Sequence, residues 1–365
     1  MKWKFKIILF FALMAILAPV ISNDKPLLLI SNNQISFPFL MEEYKLIGEN
    51  DFYIMPLVPY RAGASDFNNA DFKSPFDSQN NSLLYRHWLG TTLRGCDVLA
   101  GIISGARYAL IVGFFSALIS LVIGLLLGAG SAFSKNGLLR ITWLQLLMLI
   151  PLLLFNFNLF FNVPTSIFIK CFLFLLSFAV LIFCRGINWK FNLGIKINFE
   201  NAESQLTILF SSVPRLFFIV AIMGILHQGI LTLIILLGIT GWMEIARVVR
   251  SEIQKIQSMD YFAAAKLSGA SWIRITVKQL LPNLKPLLMA VFAFSFAGAI
   301  ISEASLSFLG FGLAANQVTW GSLILEGKES FHAWWLILFP GLCLSLCLYA
   351  LFAIARGWNN DNYSL

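Results

Sequence analysis

Charge is scarce in this chain. Of its 365 residues only 12% are Asp, Glu, Lys or Arg, while 58% are hydrophobic and 35 are Phe. A soluble domain carries roughly a quarter charged residues. Half that share, with a mean hydropathy of +0.79, excludes an ordinary water-solvated globule and points to a chain solvated mostly by lipid. The net charge of +8 is unevenly spread, so it is not the footprint of a nucleic-acid partner. Histidine and cysteine are scarce too, at 3 and 5 residues. Cys96, Cys171, Cys184, Cys343 and Cys347 form no C-x-x-C pair. Cys343 and Cys347 share a helix face, but no His or Asp beside them completes a metal site. They read as small packing residues. No G-x-x-x-x-G-K-[ST] cradle occurs, so nothing holds nucleotide phosphates. Paired carboxylates, a His cluster or a Ser/Lys set near one membrane face are also missing, which argues against a membrane enzyme and against a bound cofactor or metal.

Long apolar runs fill the space that charge leaves. A helix needs about 20 apolar residues to cross a bilayer. Eight runs qualify: roughly 6–22, 104–132, 142–161, 166–184, 206–226, 229–246, 284–307 and 332–354. The expectation is an all-α polytopic helix bundle. The first run follows MKWKFK and reads equally as an anchor or as a cleavable signal peptide. Lys and Arg concentrate on cytoplasmic loops. With both termini inside, most of them fall there, including Arg247, Arg250, Lys255, Lys266, Arg274, Lys278 and Lys285. Segment 23–102 then lies outside, where acidic residues outnumber basic ones. It is polar, holds Pro26, Pro38, Pro56, Pro59 and Pro75, and reads as an irregular extracytoplasmic cap. Its only histidine is His87, and no nucleophile–base arrangement is evident around it.

The segment 244–286 is too long and too patterned for a simple connection. Ile245, Val248, Val249, Ile253 and Ile256 recur at helical spacing, so a helix emerges from the membrane. Ser258 is placed to cap a second helix, with Asp260 in its first turn. Ala263, Ala264 and Ala265 are strong helix formers with little bulk, and Gly269 is placed to end it. Ser271 is placed to cap a further helix that ends before Pro282. A short helix with a small face, held between turns, suits docking; the plainer alternative is an amphipathic helix lying on the membrane.

At this point a resemblance enters. DYFAAAKLSGASWIRITVKQLLPN resembles the loop that couples binding-protein-dependent ABC importer permeases to their ATPases. HWLGTTLRGCDVLAGIISGAR at 87–107, AGAIISEASLSFLGFGL at 297–313 and TWGSLILEG at 319–327 resemble the second permease of dipeptide, oligopeptide and nickel importers. The resemblance covers about 85–107 and 206–355. It implies a permease domain over 103–355, a retained anchor over 1–22, an extracytoplasmic segment over 23–102 and a cytoplasmic tail over 356–365. It implies four kinds of partner: a second related permease, two cytoplasmic ATP-binding subunits, an extracytoplasmic solute-binding protein and the lipid membrane. It also implies that Asp260, Tyr261, Ala263, Ala264, Lys266, Leu267, Gly269 and Pro282 belong to the ATPase-coupling loop. Gly90, Thr91, Gly95, Asp97, Glu303, Ser305, Ser307, Gly310, Trp320 and Gly321 are the matching positions of the other blocks.

The departures are informative. Ala263 stands where the family loop usually has a glutamate. Thr92 and Cys96 stand where the extracytoplasmic block usually has Asp and Arg, which puts any ion pair there in doubt. Residues 141–200 insert two spans, 142–161 and 166–184, and a basic loop; two spans preserve the sidedness of every later loop. Among charged residues in spans, Glu303 either faces the translocation path or holds the bundle together. Arg215 and Lys170 read as snorkelling to headgroups, His227 as a surface residue, and Trp320, Trp334 and Trp335 as an interfacial belt. The rival function is an ion-coupled secondary transporter, for which Glu303 alone is thin support.

Overall fold

The computed structural model describes residues 2–31, 34–41, 52–79, 82–133, 139–142, 194–197, 199–226, 228–268, 275, 278, 280–314 and 317–360. The expected spans 142–161 and 166–184, and Lys170, His227, Gly269 and Ser271, lie outside them. The described chain is mostly helical: α1 (Lys2–Ile21), α2 (Val98–Phe133), α3 (Phe199–Ser211), α4 (Arg215–Met223), α5 (Ile230–Gln257), α6 (Asp260–Leu267), α7 (Leu281–Phe308), α8 (Trp320–Glu329) and α9 (Trp335–Asn360). Among the described residues five helices are long and apolar enough to cross a membrane: α1, α2, α5, α7 and α9. The number rises to six if α3 and α4 together make one crossing.

The chain divides into two compact units, Ala129–Leu209 and the remainder. In the smaller unit, β4 (Leu139–Thr142) pairs antiparallel with β5 (Gly194–Ile197), with Arg140 opposite Lys196. The ends of the inserted stretch are thus brought side by side. Within the same unit the buried carboxylate of Glu203 accepts from Ser131 and Thr207, at 3.4 and 3.2 Å.

In the larger unit α2 and α5 pack closely through small residues. Ser116 and Ser120 donate to the carbonyls of Ile234 and Gly238 at 3.2 and 2.8 Å. A Cβ on Gly124 would stand 2.6 Å from Cβ of Ile245, and one on Gly128 would strike the Ala246 backbone. Ser116, Ser120, Gly124 and Gly128 recur every four residues, which keeps one helix face flat. Flat faces let backbones approach, the usual basis of helix association where hydrophobic burial gives no preference over lipid. α1 joins the same bundle: Phe11 is buried and meets Trp320 edge-on at 5.7 Å.

Three expectations change. The run 206–226 is not one helix, because the chain breaks before Arg215, at Pro214, whose ring removes an N–H donor and restricts the residue before it. Segment 23–102 is not wholly irregular: β1 (Leu28–Ser31) pairs antiparallel with β2 (Gln34–Ser36) and with β3 (Phe52–Ile54). Trp320 and Trp335 do not form an interfacial belt with Trp334. They are buried at 0% and 3% exposure, and only Trp334 is open, at 41%.

Candidate functional site

Residues 230–267 form two helices in sequence, α5 and α6. α5 continues without interruption from the membrane run to Gln257, anchored by buried Ile245, Val249, Ile253 and Ile256. Ser258 ends that helix and does not start the next. Its N–H bonds back to Gln254 and Lys255, and its hydroxyl donates to the Lys255 carbonyl at 2.7 Å. Spending the hydroxyl on the preceding turn removes it as a cap for α6. α6 then runs from Asp260 to Leu267, with Phe262 buried beneath it. Asp260, Ala264 and Leu267 share the opposite face at i, i+4 and i+7 and are all exposed. Leu267 is 89% exposed and Tyr261 41%. Tyr261 is held at its hydroxyl by the Asn283 side-chain amide at 3.1 Å. Pro282 sits in the first turn of α7, where a missing N–H costs nothing. Ala263 and Lys266 occupy helical positions in α6. The product is a short helix anchored on one side, with an outer face of one acid, one alanine and one leucine.

The other matching positions form a separate site, a structural junction. Gly90 and Gly95 have φ of +82° and +78°. A Cβ at Gly90 would lie 2.8 Å from both the Lys73 carbonyl and Trp335 Nε1; one at Gly95 would strike the Asp66 carbonyl. Thr91 is buried, donating to the Asn69 carbonyl at 2.8 Å and accepting from Lys73 N–H at 3.0 Å. Asp97 caps α2, its Oδ2 accepting from Ala100 N–H at 2.7 Å. Where an ion pair was in doubt, Thr92 and Cys96 close a tight turn: Thr92 N–H donates to the Cys96 carbonyl at 3.0 Å, and Cys96 N–H donates to Thr92 Oγ1 at 3.2 Å. An acid comes instead from α8. Burial pushes the Glu326 carboxyl up, and adjacent Arg94 and Thr92 pull it the other way.

Sequence reasoning missed the centre of this junction, His87. Its side chain is fully buried. Nδ1 lies 3.0 Å from Asp97 Oδ1 and Nε2 lies 3.3 Å from Asp66 Oδ2. Tyr60 stacks on the ring at 4.2 Å. Both ring nitrogens face carboxylate oxygens, which only accept, so the arrangement is satisfied by the imidazolium. Burial, the largest single influence, lowers the His87 pKa. The hydrogen bonds and charges of Asp97 and then Asp66 outweigh it, and the net shift is upward from 6.5. Asp97 was legible as a block position; Asp66 lies 21 residues from His87 and carried no signal.

Glu303, Ser307, Gly310, Trp320 and Gly321 meet at the second half of the junction. Glu303 is fully buried and accepts from Ser307 Oγ at 2.8 Å. That burial favours the bundle-holding alternative over an open path. Gly310, at φ +82°, ends α7: its N–H reaches the Ser307 carbonyl at 3.1 Å, and Phe311 N–H reaches Leu306 at 2.9 Å. Thr319 caps α8 reciprocally with Ser322. Gly321 lets α8 close on α7, since a Cβ there would strike the Ala304 carbonyl. Trp320 Nε1 donates to the Ile102 carbonyl at 3.0 Å, tying α8 to the start of α2, and Trp335 Nε1 donates to the Thr91 carbonyl at 3.1 Å, tying α9 to the turn that precedes α2. Ser305 stands apart, half-buried and bonded to its own helix at Ile301. Arg215 does not snorkel freely: Nη2 donates to the Leu237 carbonyl at 2.6 Å and Nε to Thr240 Oγ1 at 3.0 Å.

A helix bundle with a small-faced helix between long apolar helices invites comparison with transporter components. Residues 199–359 match the family described as binding-protein-dependent transport system inner membrane components. This match and the five long apolar helices fit a multi-pass membrane component of a transport system. It is similar to the dipeptide transport system permease protein DppC of Bacillus subtilis, at 28% identity over 74% of this chain and 66% of that protein. The inner membrane ABC transporter permease protein YejE of Escherichia coli is 26% identical over 97% of this chain and 90% of that protein. The oligopeptide permease protein OppC of Bacillus subtilis is 29% identical over 40% of this chain and 48% of that protein. The match thus spans less than two thirds of DppC and about half of OppC.

Proposed function

We propose that this chain is a membrane-spanning subunit of an ATP-binding cassette importer, that it helps form the path for a peptide or similar small solute, and that α6 couples it to a cytoplasmic ATPase. The observation that carries this reading is the geometry of α6. Phe262 anchors it, while Asp260, Ala264 and Leu267 present one exposed face at the end of a helix that continues into the membrane run. A rigid connection of that kind transmits displacement; coupling requires a contact whose free energy differs between two states. Names of relatives such as dipeptide and oligopeptide permeases support a peptide cargo. The partners in this reading are a second permease, two ATP-binding subunits and an extracytoplasmic binding protein. Both termini and α6 lie on the cytoplasmic side in it, and 1–22 is a retained anchor, which the packing of Phe11 against Trp320 supports. With Ala263 in place of the usual acid, the contact rests on shape and on Asp260.

The test is a cross-link. Cysteine introduced at Ala264 or Leu267 is paired with one in the cognate ATPase cleft, and the bond is expected to form and to vary with nucleotide. Absence of any cross-link in an assembled complex would remove the coupling role. Uptake that survives ATP depletion while the proton gradient persists would favour the ion-coupled alternative.

A further inference from the structure

A composite groove runs along the inner side of α1. Its upper part is a polar recess of about 290 Å³ at the end of α1, lined by Asn23, Asp24, Lys25, Arg61, Arg107 and Tyr108 among others. Its lower part is a slot of about 750 Å³ between α1, α2, α7 and α9. Arg107 lines both, so the two are continuous at its side chain. Every other residue of the slot is apolar. The slot follows α1 from Ile16 to Phe5. The eleven rises of about 1.5 Å between them make about 17 Å, close to one leaflet of a hydrocarbon core of about 30 Å.

The charges in the recess are Lys25, Arg61 and Arg107 against Asp24, a balance of three positive to one negative. Lys25 is engaged at the Met41 carbonyl, at 2.6 Å. The guanidinium groups of Arg61 and Arg107 have no hydrogen bond or ion pair among the described residues. Arg107 belongs to a helix long and apolar enough to span the membrane. Arg107 is exposed in the third turn of that helix, and an exposed arginine bordering an apolar slot favours an external anion over hydrocarbon. A peptide is a poor occupant of the slot, because its backbone would lose water and gain no partner on an apolar wall. The outer side of α1, with Leu9, Phe10 and Leu13 open at 58%, 61% and 48%, suits lipid contact.

We infer that this groove binds one anionic glycerophospholipid, with the phosphodiester between Arg61 and Arg107 and one acyl chain along the slot beside Ala12. The bound lipid wedges α1 against the bundle and neutralises Arg107. The inference rests on the membrane reading of these helices and not on the coupling role of α6.

Native mass spectrometry of the intact, delipidated transporter with added palmitoyl-oleoyl phosphatidylglycerol tests it. One saturable lipid per copy is expected. Arg61→Gln and Arg107→Gln should each weaken binding roughly fivefold, and the pair roughly 25-fold. Arg107→Lys should stay within about threefold, since the charge is kept. Ala12→Trp should expel the acyl chain with both charges intact, and glycerol phosphate alone should not compete. Wild-type affinity in the double glutamine variant would overturn the site. So would a disulfide from Ala12→Cys to a second permease chain, because the groove would then hold protein. Lipid binding is read without ATP, so loss of coupling at α6 leaves this result unchanged.

Discussion

Replacing His87 by Gln should destabilise the polar cap and abolish its pH dependence. In the native fold the imidazolium satisfies Asp97 at 3.0 Å and Asp66 at 3.3 Å, with a side chain that is fully buried. Glutamine keeps some hydrogen bonding but removes the positive charge from between two carboxylates. Breaking a buried charge pair by removing one partner costs about 3–5 kcal/mol. The sign of the pH effect follows from the upward shift of His87 above 6.5. Below pH 6.5 the ring is protonated both folded and unfolded, and its contribution is complete. Between 6.5 and the folded pKa the unfolded state gives up its proton first, so stability falls by up to about 1.4 kcal/mol per pH unit. Above the folded pKa the contribution is gone. Hydrogen–deuterium exchange of peptides from 56–100, corrected for intrinsic rates, reads this locally in the purified protein. Wild type should lose protection as pH rises from 6.5, while His87→Gln should start lower by a factor on the order of 10²–10³ and show no such slope. An equal slope in both proteins, or a flat profile in wild type, would refute the imidazolium assignment.

Two glycines with similar backbone angles should respond differently. Gly95→Ala meets the Asp66 carbonyl at φ +78°, whereas Gly310→Ala, at φ +82°, meets nothing within 4 Å. Gly310→Ala should cost only the left-handed strain of roughly 1–2 kcal/mol, and Gly95→Ala clearly more, by thermal unfolding in detergent. Trp320→Ala should remove a fully buried ring and its bond to Ile102, costing about 3–5 kcal/mol and lowering the yield of folded protein in size-exclusion chromatography. Leu267→Asp, at an 89% exposed position, should leave the fold and its melting temperature unchanged but reduce ATP-driven uptake at least about tenfold; unchanged uptake would remove Leu267 from the coupling contact.

Much of the helical order was readable in advance, because crossing a bilayer demands a long apolar run and the demand is local. The runs at 104–132 and 284–307 lie within observed helices, and those at 229–246 and 332–354 largely coincide with helices that begin at Ile230 and Trp335. The emerging helix at Ile245–Ile256 and the short helix at Asp260 were likewise periodic in sequence. Ser258 misled because a serine between two helices can serve either one, and here the end of α5 takes its hydroxyl. The tryptophans misled because an indole at a span end suits an interface and a buried bond equally well. Trp320 and Trp335 found carbonyls 218 and 244 residues away.

By itself the sequence determined that this chain lives in lipid, lacks a nucleotide cradle and carries a patterned helical segment fit for docking. Those properties depend on composition and on spacing within a few turns. Tertiary structure alone decided that His87 would sit between Asp66 and Asp97, and that Arg215 would be spent on Leu237 and Thr240. It alone left Arg61 and Arg107 facing one recess. A charge's role depends on what is within a few ångströms of it, and chain folding, not chain order, sets those neighbours.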